Sequence, residues 1–373
     1  MLQLLPWCAL EQDYDLGALR LLGVGDRKPL KGLSTQQSAD IQSFISCYRS
    51  MDGRPVDPYA VVAFNGVDPL RVLTDDELRE CSELLQLAAF SSLASRSFFR
   101  APYSNNTCFV RYIQMFNDVR GIAVLSRRRD GGTLDGRILP GTVFGIPSQA
   151  AAVHTVHIDA ALFAALDTHR KDTPPKEWTR WQNAIDCFNF ANSDDSNVPP
   201  EVEWIMMASA MERLLNADAN ASSVAAAVEA AITPEHTLLA GNASRKPSNP
   251  KLADRSLRYL WAYEFYRMRG QYAHGYMTSA QPYVWTPFEH LLLAAIAVPL
   301  AAKALLACKE IYTLTDDDWA QVDGFEGLLD THFLIPLDDQ ESSWDSKWGR
   351  IQATHHGRRS LRRWVHEHWP VHE

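Results

Sequence analysis

The chain has 373 residues, of which 46% are hydrophobic and 22% are charged, and its formal net charge is −9 at pH 7. These values are typical of a soluble globular protein that is long enough for two or three domains. The negative net charge excludes a surface that is basic throughout, so any binding of nucleic acid would depend on a local basic patch.

Residues 1 to 170 are predicted to form a mixed domain that is rich in β-structure. The apolar run Tyr59–Phe64 predicts a strand, and turn signals separate further candidates. These candidates lie near residues 109–115, 121–125, 137–144 and 152–158. Thr74 and Glu77 have the spacing of a capping box, which predicts one clear helix running to about residue 94. We interpret this part as an α+β domain with a sensory or regulatory role.

Residues 171 to 312 have a helical pattern instead. After Pro175, apolar residues follow at positions i, i+3, i+7 and i+10, namely Trp178, Trp181, Ile185 and Phe188. Further helices are predicted at about 200–215, 222–232, 251–274 and 287–312. Amphipathic helices with short links are typical of a bundle. The predicted fold class is therefore α+β, a β-rich N-terminal domain followed by an all-α bundle and a helical C-terminal extension.

The extension comprises residues 313 to 373. It begins with Thr315 and three aspartates, a sequence that predicts a capped helix. Between residues 347 and 369 there are six Lys and Arg residues against a single acidic residue. This basic tail either contacts RNA phosphates or forms a solvated or dimer-contacting helix. Its candidate RNA-binding residues are Arg358, Arg359, Arg362 and Arg363.

Several features predict a cytoplasmic protein. The six cysteines are scattered without any Cys-x-x-Cys pair, which is typical of free thiols in a reducing compartment and gives no sign of structural zinc. The N-terminus has no basic region and no long apolar run, so no signal peptide is visible. The apolar stretch 291–302 contains Pro299 and predicts a buried bundle helix rather than a membrane span. We therefore expect no contact with a membrane and no cofactor or metal.

An Arg-x4-His pattern occurs at the end of one long predicted helix. The chain contains three such matches, at Arg269/His274, Arg350/His355 and Arg363/His368. About one match is expected by chance, so the pattern alone has little weight. Only Arg269/His274 ends a long helix of the bundle and is followed directly by a glycine.

Three stretches, in this order along the chain, carry a resemblance to a known family: Trp181–Phe188, Met206–Leu215 and Tyr263–Gly275. With the Arg-x4-His motif they make residues 175 to 312 similar to the HEPN superfamily, most closely to the HEPN domains of bacterial anti-phage defence. The resemblance implies a metal-independent endoribonuclease of an abortive-infection or toxin system. It also implies a homodimer, RNA as substrate with tRNA as one candidate, and products with 2′,3′-cyclic phosphate and 5′-OH ends. A regulatory partner protein is a further expectation.

The motif residues suit this chemistry. RNA supplies its own nucleophile, the 2′-OH. Histidine titrates near neutral pH and can take or give a proton, which is the role we assign to His274. Arginine stays charged and can grip two phosphate oxygens, which is the role of Arg269. Glu212 is expected to orient one of them, although a purely structural carboxylate is equally compatible with its position.

The helical spacing of the motif leaves two arrangements open. Five residues turn through about 500°, which leaves Arg269 and His274 about 140° apart. Either the helix unwinds at His274, or two copies of the chain assemble the site across a twofold axis, as the family resemblance implies. Arg267 and Gln271 do align with His274, so Arg267 is a second candidate for the arginine role.

Gly270 favours an alternative function. Active family members usually have a polar residue directly after the motif arginine, whereas this chain has Gly270. Glycine inside a helix costs about 1 kcal/mol relative to alanine, and it allows another backbone to approach closely. The alternative is a catalytically inactive HEPN dimer that serves as an adaptor or binds nucleotides or nucleic acid. An unrelated helical scaffold, in which His274 only interacts with the helix dipole, is a third reading.

Overall fold

The computed structural model describes residues 2–25, 34–67, 71–96, 102–114, 122–127, 133–137, 143–247, 249–274 and 283–330. These residues divide into two compact units. The N-terminal unit comprises the described parts of Met1–Asp167 and Asn192–Asn197, and the helical unit those of Thr168–Ala191 and Val198–Glu373. The combination of an antiparallel sheet near the N-terminus with helices after it gives the α+β content that the sequence predicts.

The described strands all belong to the N-terminal unit. They are β1 (Leu2–Leu5), β2 (Tyr14–Leu16), β3 (Leu19–Val24), β4 (Tyr48–Arg49), β5 (Tyr59–Phe64), β6 (Tyr112–Gln114), β7 (Ile122–Arg127), β8 (Thr133–Arg137) and β9 (Phe144–Gly145). Five of them form an antiparallel sheet in the order β2-β3-β5-β1-β6. In the register of this sheet, Val62 of β5 lies opposite both Gln3 of β1 and Leu21 of β3.

The predicted strand Tyr59–Phe64 is confirmed as β5, the middle strand of this sheet. All six of its residues are buried, which is why it is a continuous apolar run and not an alternating one. The remaining strands form two small pairs. Strands β4 and β9 pair in parallel, and β7 and β8 form an antiparallel pair with an irregular register after Val124.

Two of the strand predictions are wrong in part. Phe109 lies in a 3-10 helix, Asn106–Phe109, and the strand begins only at Tyr112. The segment 152–158 is not a strand, because a 3-10 helix covers Ser148–Ala152 and only Val156 then makes a single bridge, to Leu10. Apolar residues in these short segments contribute to the core without a neighbouring strand to pair with. Parts of the other candidates, residues 115, 121 and 138–142, lie outside the described residues.

Helices occur in both units. They are α1 (Thr35–Ile45), α2 (Asp75–Leu93), α3 (Ala160–Asp172), α4 (Pro175–Ala191), α5 (Pro200–Leu215), α6 (Ala221–Ala231), α7 (Leu257–His274), α8 (Pro287–Cys308) and α9 (Asp316–Leu329). The capping box at Thr74 is confirmed, since its hydroxyl accepts from the N–H of Glu77 and its N–H donates to that carboxylate. Helix α1 was not predicted, because its sequence is mostly polar and, among its residues whose burial is described, only Ile41, Phe44 and Ile45 are buried.

The helical unit is built from α4 to α9 and the end of α3. Helix α4 packs against α5, α6 packs against α7, and α9 packs against α7 and α8. Helix α7 begins at Leu257 and not at residue 251, because residues Pro250–Leu252 form a 3-10 turn and Ser256 caps α7 by accepting from the N–H of Tyr259. Helix α8 ends at Cys308, where Glu310 takes a left-handed conformation with φ of 61°.

Aromatic side chains fill the core of this unit. Trp181, Trp204, Trp261, Phe265 and Trp285 are each at most 1% exposed. The indole N–H of Trp204 donates to the carbonyl of Phe265 at 3.1 Å, which ties α5 to α7. Their rings stack with centroids 5.1 Å apart. This packing fixes the position of α7, the helix that carries the Arg-x4-His motif.

Helix α8 is the one helix in the described part of the chain whose length and composition would allow it to cross a membrane. Of its most apolar window, 67% is buried within the protein. Its charged residues are also buried and paired, since Glu289 accepts from Arg245 at 2.5 Å and Lys303 donates to Asp318 at 2.6 Å. These features are typical of the core helix of a bundle.

Candidate functional site

Helix α7 is buried on all sides over its first six residues and becomes exposed towards its end, where the candidate site lies. Leu257, Leu260 and Trp261 are fully buried, and Met268 is 5% exposed. Arg267 is exposed, and Arg269 is partly exposed. The two candidate arginines therefore lie where the helix emerges from the core, and each has a different set of neighbours.

Arg269 lies beside an aromatic ring that is itself held by Glu212. The guanidinium carbon of Arg269 is 5.5 Å from the centre of the Tyr266 ring, a cation–π contact along α7. The Tyr266 hydroxyl donates a hydrogen bond to Glu212 on α5. Glu212 thus positions Arg269 indirectly, through Tyr266. The sequence gives a weak sign of this link, because Tyr266 and Arg269 are three residues apart on one helix.

Tyr266 stays protonated in this arrangement. Burial raises its pKa to about 12, and the hydrogen bond and charge of Glu212 act in the same direction while Arg269 opposes them. The phenol therefore donates to Glu212 throughout the physiological pH range. The Nε atom of Arg269 is buried and makes no hydrogen bond to the described part of the chain.

Arg267 has a different environment on α7. Its guanidinium carbon is 5.7 Å from the centre of the Tyr263 ring, and the side chain is exposed. Burial raises the pKa of Tyr283, whereas Arg267 and Gln271 lower it, which places both side chains close to that phenol. Arg267 and Gln271 share this face, as their helical spacing predicts.

Glu264 lies one turn before Arg267 and is 6% exposed. Its Oε2 accepts from the backbone N–H of Val284 at 2.9 Å, so it ties the segment before α8 to α7. Burial raises the pKa of Glu264 to about 7, although the Val284 N–H and Arg267 both lower it. Because Glu264 and Val284 are 20 residues apart, the sequence carries no sign of this hydrogen bond.

His290 lies close to Glu264, with 3.9 Å between its Nε2 and the Oε2 of Glu264. Burial, together with the charge of Arg245, lowers the pKa of His290 to about 3. His290 is therefore neutral at pH 7, and the contact with Glu264 is not an ion pair.

Several predicted residues are placed only in part. His274 is the last residue of α7, so the helix continues through the motif and keeps Arg269 and His274 about 140° apart in backbone direction. The side chain of His274 lies outside the described residues, as do the tail residues Arg358, Arg359, Arg362 and Arg363. Among the described residues, no group of three or more His, Cys, Asp or Glu side chains is placed to hold a metal ion.

Gly270 is not explained by the close approach of another backbone within the described part of the chain. A Cβ added to Gly270 would meet no described atom within 4 Å. The residue lies inside α7, four positions before its end. Open space at this position leaves room for another molecule to approach the helix.

We expect Gly270→Ala to raise the free energy of unfolding by about 0.5–1 kcal/mol, because alanine is the better helix former and nothing obstructs its methyl group. Denaturant titration followed by circular dichroism measures the change. The control is Gly241→Ala, whose added Cβ would lie 3.1 Å from the carbonyl oxygen of Ala253 and should not stabilise the protein. Equal effects of the two substitutions would contradict the placement of Gly270.

No family model, no curated protein and no solved structure matches the chain. The resemblance to the HEPN superfamily therefore rests on the residues of α4, α5 and α7 alone. The geometry of α7 is the basis for the functional proposal.

Proposed function

We propose that the helical unit is a metal-independent HEPN endoribonuclease of an anti-phage, abortive-infection or toxin type that acts in the cytoplasm. The observation that carries the proposal is the position of Arg269 near the end of α7. Its guanidinium is held against Tyr266, which is fixed by Glu212, and its buried Nε makes no hydrogen bond to a described residue. Arg269 is also partly exposed, so its charge lies in a fixed position from which it can reach an anion at the surface.

The proposed reaction uses the 2′-OH of RNA as nucleophile. The imidazole of His274 takes the 2′-OH proton, the 2′-oxygen attacks the adjacent phosphorus, and the bond to the 5′-oxygen of the next nucleotide breaks. The leaving oxygen takes up a proton, so the products are a 2′,3′-cyclic phosphate and a 5′-OH. Arg269 stabilises the negative charge that builds on the phosphoryl oxygens.

The helical geometry supports the proposal of a dimer. Because α7 is helical as far as His274, the backbone directions at Arg269 and His274 of one copy are about 140° apart. We therefore propose that Arg269 of one copy acts with His274 of the other across a twofold axis. Gly270 lies between these two positions and has open space beside it in the described structure, as a helix contacted by a second copy requires. We also propose that the basic tail binds RNA and that a partner protein controls the activity.

Gly270 also supports the second candidate, a HEPN dimer that lacks activity and serves as an adaptor or nucleic-acid-binding module. Without a polar side chain after Arg269, the site has one group fewer to contact the phosphate.

Overexpression in a bacterial host distinguishes these functions. The enzyme predicts a dimer by light scattering and growth arrest that His274→Ala abolishes, with His236→Ala, an exposed histidine of the same unit, as control. The adaptor predicts a dimer without arrest. A monomer whose expression has the same effect with and without His274 would reject both functions.

A further inference from the structure

Two cysteines that are far apart in the sequence meet in the core of the N-terminal unit. Strands β1 and β6 pair antiparallel, with Leu4 opposite Tyr112. Continued beyond the strands, the same register places Cys8 opposite Cys108. Residues that lie opposite each other in an antiparallel pair have their side chains on the same face. The register therefore predicts that these two thiols lie side by side.

The two thiols are in contact although the ladder ends before it reaches them. The N–H of Cys8 turns back to the carbonyl of Leu5 at 3.3 Å, and Cys108 lies in the 3-10 helix Asn106–Phe109. The cysteines are 0% and 1% exposed. A hydrogen bond with Cys108 is the largest cause that raises the pKa of Cys8 well above its ordinary value, followed by burial. The Cys8 thiol thus has the sulfur of Cys108 as its hydrogen-bond partner.

The backbone beside each cysteine is held in place. The carbonyl of Ala9 accepts from the N–H of Val156 at 2.8 Å. On the other side, the Cys108 thiol donates to the carbonyl of Asn105 at 2.9 Å, and the amide of Asn105 donates to the carbonyl of Gln149 at 2.9 Å. A disulfide needs sulfur atoms about 2.05 Å apart on backbone segments that are close together. Thiols that already touch on two anchored segments are near this arrangement.

We propose that Cys8 and Cys108 are a redox-sensitive pair, which a small disulfide such as glutathione disulfide oxidises to an internal disulfide that stabilises the N-terminal unit. The link joins the end of β1 to the turn before β6 and closes a loop of about 100 residues. Closing a long loop restricts the unfolded chain strongly, so the effect on stability is large. In a reducing compartment the pair remains as thiols. The proposal is independent of RNA cleavage.

The reaction is a thiol–disulfide exchange. Because both thiols are buried, it begins when local opening exposes one of them. The thiolate of one cysteine attacks a sulfur of glutathione disulfide and releases one glutathione. The thiolate of the other cysteine attacks the protein sulfur of this mixed disulfide and releases the second glutathione. The two cysteines lose two electrons and two protons, and glutathione disulfide takes them up to become two glutathione thiols.

Peptide mapping of the full-length protein tests the proposal. The protein is equilibrated with glutathione and glutathione disulfide in urea too dilute to unfold it, the urea is removed, and the remaining thiols are alkylated before proteolysis without reduction. We expect the peptide of Cys8 to be joined to that of Cys108. Hydrogen exchange of the β1 and β6 amides should be at least about tenfold slower in the oxidised than in the reduced protein.

Two other cysteines provide the controls. Cys308 is exposed, so its glutathione adduct shows that the oxidant was active. Cys81→Ala removes another fully buried thiol, which donates to Gln3 at 3.3 Å, and should leave the link and the slower exchange intact. Cys8→Ala should make exchange in the oxidised and reduced proteins equal, and the map of the wild-type protein decides the question even if this variant does not fold.

Three results would overturn the proposal. The first is a glutathione adduct at Cys308 while Cys8 and Cys108 remain thiols. The second is separate adducts on Cys8 and Cys108, or a link from either one to a different cysteine. The third is the expected link without slower exchange of the β1 and β6 amides.

Discussion

Replacing Arg269 by alanine is expected to lower the rate of RNA cleavage by about 10²–10³-fold, the effect of removing one preorganised charge donor from a phosphoryl or acyl transition state. The same substitution at Arg267 should lower it by less than about tenfold. Arg269 is held by Tyr266 and, through it, by Glu212, whereas Arg267 is exposed beside Tyr263. Single-turnover cleavage of a labelled RNA measures both rates.

The comparison also tests how the site is assembled. In our proposal Arg269 meets His274 of a second copy, whereas Arg267 has the helical spacing that places it on the same face as His274. A larger loss for Arg267→Ala would contradict our assignment and favour a site within one copy. Arg269→Lys keeps the charge without the two-pronged donor, so it should recover only part of the rate.

Replacing Glu264 by glutamine should make the stability of the protein less dependent on pH. The pKa of Glu264 is about 7 in the folded protein, compared with an ordinary value of 4.5. The folded state therefore binds this proton more tightly than the unfolded state. The resulting stabilisation is complete below pH 4.5 and is lost as the pH rises to 7, a change of about 3 kcal/mol for a group this deeply buried.

Glutamine has no proton to lose, and its amide oxygen can still accept from the N–H of Val284. We therefore expect the variant to gain stability relative to the wild type as the pH is raised from 5 to 8, measured by denaturant titration at each pH. Glu177→Gln is a control without this dependence, because the hydrogen bond from Lys309 lowers the pKa of Glu177 and its carboxyl group stays ionised over this pH range. A pH-independent difference at Glu264 would show that its carboxyl group is ionised throughout this range.

Local signals in the sequence account for the parts of the fold that were predicted. The capping boxes at Thr74 and Thr315 depend on residues three positions apart, and both form as expected. The helices that begin at Pro175 and Pro200 also start at the predicted residues, because the proline itself is a local signal for the first turn of a helix. The missed strand β1 pairs with β5 and β6, which lie more than fifty residues away, and no local pattern reports such pairing.

In the candidate site, too, the residues could be found from local sequence but their contacts could not. Arg269 and Glu212 were identified from their order and spacing in the sequence. The hydroxyl of Tyr266 joins them only because α5 and α7 pack together, and Glu264 meets Val284 only because the chain returns to α7 before α8 begins. Burial of a carboxyl group, which raises the pKa of Glu264, is a property of the folded unit and not of any short sequence segment.

The central claim is that this chain cuts RNA without metal and that His274 carries the reaction. Its most direct test is incubation of purified full-length protein, as wild type and His274→Ala, with tRNA and total RNA in EDTA, followed by analysis of the product ends. The account predicts cleavage by the wild type alone, with 2′,3′-cyclic phosphate and 5′-OH ends. Equal cleavage by both proteins, products with 5′-phosphate ends, or intact RNA in both reactions would contradict it.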